Sequence, residues 1–309
     1  MMGHAGRGMK LAGWAAAYWL GRTVLRRRRP FIGGVVVNDR CNRRCRQCRV
    51  ANRGRPDARF GAIRRALASF RRAGIRSVFL EGGEPFLWRD GRRRLEDVVA
   101  ACRRLGFHAV AVYTNGTRPL VSSADTLLVS LDGLKATNDA LRGPTFDRVW
   151  DHINESTHEH IVINYTINTV NRGDIAGVCR LVGRSRRVRG VFFNFHTPYY
   201  GRDDLFLDLG RRRAVAASLL ALKRAGMPII NSAAGLQAVI ADDWQRPSDL
   251  CRLWAEGQTY TCCRAVGDDE RCRDCGYLGY VEMIQLLKLR PSAVLAALRH
   301  VSARRHRHD

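Results

Sequence analysis

The sequence predicts an α/β protein, a partial (β/α)6 barrel with a small cysteine-rich C-terminal extension. Three observations predict it. After Pro30, short β-branched and aromatic runs alternate with longer helix-patterned stretches. Those runs are apolar throughout, as strands are when a parallel sheet is covered on its faces. Glycine-rich or polar clusters follow the runs, and a β/α barrel keeps its chemistry at the C-terminal ends of its strands.

The elements follow in order. Residues 34–38 (GVVVN) read as a buried first strand, followed by a loop with three cysteines. Residues 60–73 read as a helix, 76–81 (RSVFLE) as the second strand and 95–105 as the next helix. Residues 108–114 (HAVAVYT) and 126–131 (TLLVSL) give strands three and four, and 144–153 a helix. Residues 161–168 (IVINYTIN) form strand five, 175–182 a helix, 190–196 (GVFFNFH) strand six and 211–225 a further helix. Gly226, Pro228 and Pro247 punctuate a boundary, beyond which cysteines accumulate. A closing helix is expected over 292–301, after Pro291. The division is therefore 1–30 as an N-terminal basic amphipathic helix, 31–225 as the barrel and 226–309 as the cysteine-rich extension.

The N-terminal segment has two readings. Residues 11–20 (LAGWAAAYWL) are apolar but too few to span a bilayer. Trp14, Tyr18 and Trp19, with Arg26 to Arg29 behind them, suit an interfacial helix lying on anionic lipid. A helix packed over one end of the barrel fits equally well. Residues 303–309, rich in Arg and His, read as disordered.

The chain of 309 residues carries a net charge of +25. A solvated basic surface accounts for it, as would an anionic membrane or a nucleic acid. Single-strand binders interleave aromatics with their basic residues. The arginines between 64 and 72 enclose only Phe70 and those between 184 and 189 no aromatic, so nucleic acid is not the expected partner.

Of ten cysteines, eight fall in two compact groups, which favours metal ligation over disulfides, while Cys102 and Cys179 read as core residues. Cys41, Cys45 and Cys48 are spaced C-x3-C-x2-C. Three thiolates on one loop can hold an iron–sulfur cluster and leave one iron open for a small molecule, whereas structural zinc takes four ligands.

That triplet, followed by Gly82-Gly83-Glu84-Pro85, Thr114-Asn115-Gly116 and Ser130-Leu131-Asp132-Gly133, resembles the radical SAM superfamily over residues 33–200. The resemblance implies a 4Fe-4S cluster on Cys41, Cys45 and Cys48 that chelates S-adenosylmethionine and cleaves it reductively to a 5′-deoxyadenosyl radical. It implies cofactor contacts from Gly82, Gly83, Glu84, Pro85, Asn115, Ser130 and Asp132. The two glycines would let the backbone approach the methionine moiety, and Glu84 would take its ammonium. Asn168 or Asn171, and Asn194 or His196, point toward the same face. The aromatic residue that the family often carries before the third cysteine is Gln47 here.

The second group, Cys251, Cys262, Cys263, Cys272 and Cys275, resembles the cysteine-rich C-terminal extensions, of SPASM or twitch type, that carry an auxiliary 4Fe-4S cluster in this superfamily. Cys251, Cys263, Cys272 and Cys275 are the favoured ligands, with Cys262 as competitor and structural zinc as the alternative occupant. The end of this group and the N-terminal helix are similar to short patches of hopanoid-adenosylating radical SAM enzymes. The expectation is then a lipid or isoprenoid substrate, with a ribosomal peptide as the alternative. A reductant such as flavodoxin or ferredoxin is implied as a partner, and a cytoplasmic location, with peripheral contact to anionic membrane at its inner face.

Overall fold

The structure is a computed structural model that describes residues 4–302. The disorder expected over residues 303–309 falls outside the described residues. Six parallel strands form the scaffold: β1 (Ile32–Val36), β2 (Ser77–Glu81), β3 (Ala109–Thr114), β4 (Thr126–Ser130), β5 (Ile161–Ile167) and β6 (Val188–Phe195). Two more, β7 (Cys251–Ala255) and β8 (Gln258–Thr261), extend the sheet, whose order is β6-β5-β4-β3-β2-β1-β7-β8. β7 runs parallel to β1, and β8 returns antiparallel to β7.

The helices are α1 (His4–Thr23), α2 (Phe60–Arg72), α3 (Leu95–Arg104), α4 (Lys135–Arg142), α5 (Phe146–Glu155), α6 (Ile175–Gly183), α7 (Leu209–Arg224), α8 (Ala233–Ala241), α9 (Asp269–Arg273), α10 (Leu278–Leu287) and α11 (Pro291–Ser302). α2 shows how the sequence sets them. Phe60, Ile63, Ala66, Leu67 and Phe70 recur at helical spacing and are buried, while the arginines between them face water. One core cluster then runs from Val35 through Leu67, Val112, Ile163 and Phe193 to Val281.

Every expected strand and helix has a counterpart, with ends shifted by a few residues. α4, α8, α9, α10, β7 and β8 were not expected from the sequence. The stretch read as a boundary contains α8, whose Leu236 and Val239 join the same core as the strands. The segment after it bridges the open side of the barrel. Its β7 pairs with β1, while the Phe195 N–H donates to Gly276 O at 2.8 Å and the Leu278 N–H to Asn194 Oδ1 at 2.9 Å. Gly276 has to be glycine there, because a Cβ would lie 2.5 Å from the Phe195 carbonyl carbon.

α1 packs on the domain through its aromatic face. Trp14 Nε1 donates to Gly74 O (3.1 Å), Tyr18 OH to Arg29 O (2.5 Å) and Trp19 Nε1 to Leu287 O (3.0 Å), and Arg22 pairs with Asp249 at 2.6 Å. No helix of the described residues is long and apolar enough to cross a membrane.

Candidate active site

The cysteine loop leaves β1 and is stitched at once to the turn after β2. The Gly83 N–H donates to Asn38 O and the Glu84 N–H to Arg40 O, both at 2.9 Å, while Asn38 Nδ2 donates to Glu84 O at 2.9 Å. This stitching explains the two glycines. A Cβ on Gly82 would lie 2.5 Å from Asn38 O, and one on Gly83 2.5 Å from the Arg40 carbonyl carbon. The chain's own cysteine loop packs closely against these glycines.

Glu84 is fully buried. Its Oε1 accepts from Thr114 Oγ1 (2.8 Å) and the Phe86 N–H (3.1 Å), and its Oε2 from the Asn115 N–H (2.7 Å). Through these bonds it ties the turn after β2 to the end of β3. Burial raises its pKa, partly offset by these donors. Pro85, buried, opens the short 3-10 turn Pro85–Leu87.

Cys41 and Cys45 are half-buried and Cys48 is exposed. Donors converge on the first two sulfurs. The Arg43 N–H lies 3.4 Å and Asn115 Nδ2 3.6 Å from Cys41 Sγ, and Arg142 Nη1 lies 3.9 Å from Cys45 Sγ. Burial pushes the Cys41 thiol up to about 11 and raises Cys45, whose neighbour Arg142 opposes the rise. Such thiols ionise on binding a metal, and the N–H groups aimed at them suit sulfur that bears negative charge. The donor set therefore fits an iron–sulfur cluster. Asn115 Nδ2, beside Cys41, also donates to Asn42 Oδ1 at 2.9 Å.

Asp132 is fully buried just beyond β4. Its Oδ1 accepts the Thr166 N–H (2.7 Å); its Oδ2 accepts Gln47 Nε2 (2.5 Å) and Arg142 Nε (2.6 Å). Through Gln47 it anchors the cysteine loop. Arg142, at the end of α4, escaped sequence reasoning because α4 itself did. Its carbonyl also receives Arg43 Nε at 3.2 Å, and the Leu141 carbonyl receives the Arg46 N–H at 2.8 Å. Gln47, the odd residue before the third cysteine, hands its Nε2 to Asp132, and its buried Oε1 has no partner among the described residues. Ser130 is half-buried at the end of β4, and no bond of its hydroxyl is seen among the described residues.

Asn168 and Asn171 are buried and bond to one another. Asn168 N–H donates to Asn171 Oδ1 at 2.8 Å, and Asn171 Nδ2 to Thr166 O at 2.9 Å. Asn194 Nδ2 donates to Asn164 Oδ1 at 3.0 Å. These are structural bonds. His196 differs, because it lines a cleft of about 260 Å³ together with Gln47, Arg49, Tyr199, Tyr200 and Asp203. Its Nε2 meets the Asp203 carboxylate at 3.0 and 3.1 Å.

The five C-terminal cysteines gather beside this cleft. Cys262, Cys263, Cys272 and Cys275 line a second cavity of about 350 Å³, while Cys251 lies fully buried on β7. The Cys262 N–H donates to Cys251 O at 2.9 Å across the β7–β8 hairpin, and the Cys275 N–H to Cys272 O at 3.2 Å. The Cys262 and Cys263 thiols share a hydrogen bond, which lowers the pKa of Cys262 and raises that of Cys263. Burial pushes Cys275 up to about 12. Cys262, the competitor in the sequence reading, thus faces the cavity, and Cys251 stands behind it. Among the described residues no three His, Cys, Asp or Glu side chains stand at metal-binding separation. The buried Cys102 and Cys179 are core residues.

Comparison with known proteins agrees with this geometry. An Fe-coproporphyrin III synthase of Methanosarcina barkeri is 32% identical over 164 residues, which are 47% of this chain and 39% of that protein. A GTP 3′,8-cyclase of Acidothermus cellulolyticus is 33% identical over 127 residues, 38% of this chain and 34% of that protein. The chain thus spans well under half the length of these two relatives. Among solved structures, anSMEcpe with bound AdoMet superposes with a TM-score of 0.60 at 15% identity, over 78% of this chain and 76% of that one. SuiB of Streptococcus suis, bound to its precursor peptide SuiA, superposes with a TM-score of 0.55 at 18% identity, over 70% of this chain and 52% of that one. Both likenesses show the fold, a parallel sheet of partial-barrel type. Residues 35–182, which hold the cysteine triplet and the braces behind it, match the radical SAM superfamily model.

Proposed function

We propose that this chain is a radical SAM enzyme that modifies a peptide, with an auxiliary iron–sulfur cluster held by its C-terminal cysteines. The observation that carries this reading is the cavity lined by Cys262, Cys263, Cys272 and Cys275 next to the cleft of His196 and Tyr199. The fold neighbours anSMEcpe and SuiB support it, SuiB having been seen with a precursor peptide.

A cluster on Cys41, Cys45 and Cys48, when bound with S-adenosylmethionine and reduced, supplies the deoxyadenosyl radical. The other roles belong to this chain's residues. Asn115 and Arg142 steady the sulfurs of Cys41 and Cys45. Asp132 fixes the loop through Gln47, and Glu84 ties the turn after β2, to which the loop is stitched, to the end of β3. Ser130 is the hydroxyl at the barrel's mouth left for a cofactor contact. His196, held through Nε2 by Asp203, offers Nδ1 to a substrate proton in the cleft. Glu81, whose pKa burial raises against the pull of Arg264, lies in the same interior as Tyr113, Tyr199 and Tyr277. This polar wall suits a peptide better than an isoprenoid. The aromatic anchors expected to greet a lipid substrate, Trp14, Tyr18 and Trp19, bond to the protein instead.

The test measures 5′-deoxyadenosine released by anaerobically reconstituted enzyme with reductant and fractionated cell extract. A stimulating fraction that protease destroys supports a peptide. A protease-resistant, solvent-extractable stimulant overturns that reading in favour of a lipid.

A further inference from the structure

We propose that the outer face of α1, with the arginine run behind it, docks on an anionic phospholipid bilayer. The inner face is already taken, since Trp14, Tyr18 and Trp19 bond to backbone carbonyls of the domain. What remains outside is apolar as well. Ala12, Gly13, Ala16, Ala17, Leu20 and Val24 are exposed, and no charged residue stands between Lys10 and Arg22. A helix that is apolar all round is stable only when covered on both sides. A water-facing helix of this length ordinarily carries charges outward, and between Lys10 and Arg22 this one carries none.

The cover is read from the adjacent charge. Leu20 is 50% exposed, Val24 61% and Leu25 54%, and directly after them come Arg26, Arg27, Arg28 and Arg29, all exposed. Among the described residues the ion pairs nearby engage Arg22 with Asp249 and Lys288 with Asp243, and none engages these four arginines. Trp19 joins α1 to the end of α10, and two residues beyond that contact Leu289 is again exposed, beside Lys288 and Arg290. Exposed aliphatic side chains next to unpaired cations match the two layers of a lipid interface, acyl chain below and phosphate above. Sequence alone points to the aromatic face as the lipid-binding one; the structure turns that face inward and leaves the opposite one outside. The proposal does not depend on the identity of the substrate.

The test is co-sedimentation of the full protein with phosphatidylcholine vesicles, with and without about one-third phosphatidylglycerol. The expected result is sedimentation with the anionic vesicles only, weakened by added salt. Each arginine at such a surface is worth roughly a fivefold factor, so Arg26→Gln, Arg27→Gln, Arg28→Gln and Arg29→Gln together should lower partitioning by about a hundredfold or more. Leu20→Ser with Val24→Ser and Leu25→Ser should lower it by about tenfold or more. These side chains are exposed, so an unchanged melting temperature in both variants confirms that the fold is intact. Wild-type protein that stays in the supernatant with anionic vesicles, or variants that sediment like wild type, overturn the proposal. So does a dimer in solution that Leu20→Ser dissociates, because the face would then belong to a second copy.

Discussion

Asp132→Asn should destabilise this protein far more than the loss of one negative charge suggests. The Asp132 side chain is fully buried, and that of Arg142 is only 12% exposed. In the wild type, Oδ2 receives Arg142 Nε and Nη2 at 2.6 Å and Gln47 Nε2 at 2.5 Å, while Oδ1 receives the Thr166 N–H at 2.7 Å. Asparagine can keep the Thr166 bond with its carbonyl oxygen. Its NH2 then faces three N–H donors and satisfies none. Stranding a buried guanidinium costs about 3–5 kcal/mol. A chain of 309 residues has an unfolding entropy near 0.6 kcal/mol per degree. The melting temperature should therefore fall by about 6 °C, and Cys45 and Gln47 should lose their shared anchor, with less iron retained per chain. The assay is a double-mutant cycle with Arg142→Met, read by thermal and urea unfolding. Removing the guanidinium removes most of the penalty, so the double variant should lie about 2 kcal/mol above the sum of the singles. Additivity within about 0.5 kcal/mol would refute the claim that one carboxylate serves the loop and the arginine together.

Gly83→Ala puts a methyl against the Arg40 carbonyl, which is backbone and cannot swing aside; iron at the first cluster should drop out, leaving about four of about eight irons per chain, as counted by chelation after reconstitution. Cys272→Ser with Cys275→Ser should give the converse, the loss of about four irons with reductive release of deoxyadenosine retained, because the cysteine triplet is untouched. Glu282 titrates at about 7 because burial disfavours its charge, while the unfolded chain titrates near the usual value of about 4.3. The folded state therefore binds the extra proton between about pH 4.3 and 7, and stability falls as pH rises through that window, by up to about 3 kcal/mol. Glu282→Gln keeps an acceptor for the Ser232 N–H, now at 2.9 Å. It should flatten the difference in unfolding free energy between pH 5 and 8, and an unchanged slope in urea titrations would place the proton elsewhere.

The strands and the cysteine spacing were legible in the sequence because each obeys a local rule: apolar runs between turns, and thiols too close together to serve anything but one metal. α4 was hidden because Lys135 to Arg142 holds five polar residues to three apolar ones and shows its pattern only when Asn138 and Leu141 are seen buried. α8 was hidden by its neighbours, since Pro228 and Gly226 read as linker while Ser232, which caps the helix through the Gly235 N–H at 2.8 Å, carried the true signal. Cys262 could not be ranked against Cys263 because adjacent residues in an irregular segment have no period to separate them. The β7–β8 hairpin separates them: its last rung places the Cys262 N–H on Cys251 O.

Glu84 and Asp132 were the harder case, and for a reason that extends past this chain. A carboxylate at the end of a barrel strand faces both the substrate space and the next loop. Which one it serves depends on which donors arrive first, and donors come from residues remote in sequence. Asn115 reaches Glu84 across 31 positions and Gln47 reaches Asp132 across 85. In both cases the chain's own donors are fixed and dry, whereas a cofactor's must be desolvated at every binding event. Asp132 thus holds the cysteine loop through Gln47, while Glu84 ties the turn after β2 to the end of β3, and backbone bonds stitch the loop to that turn.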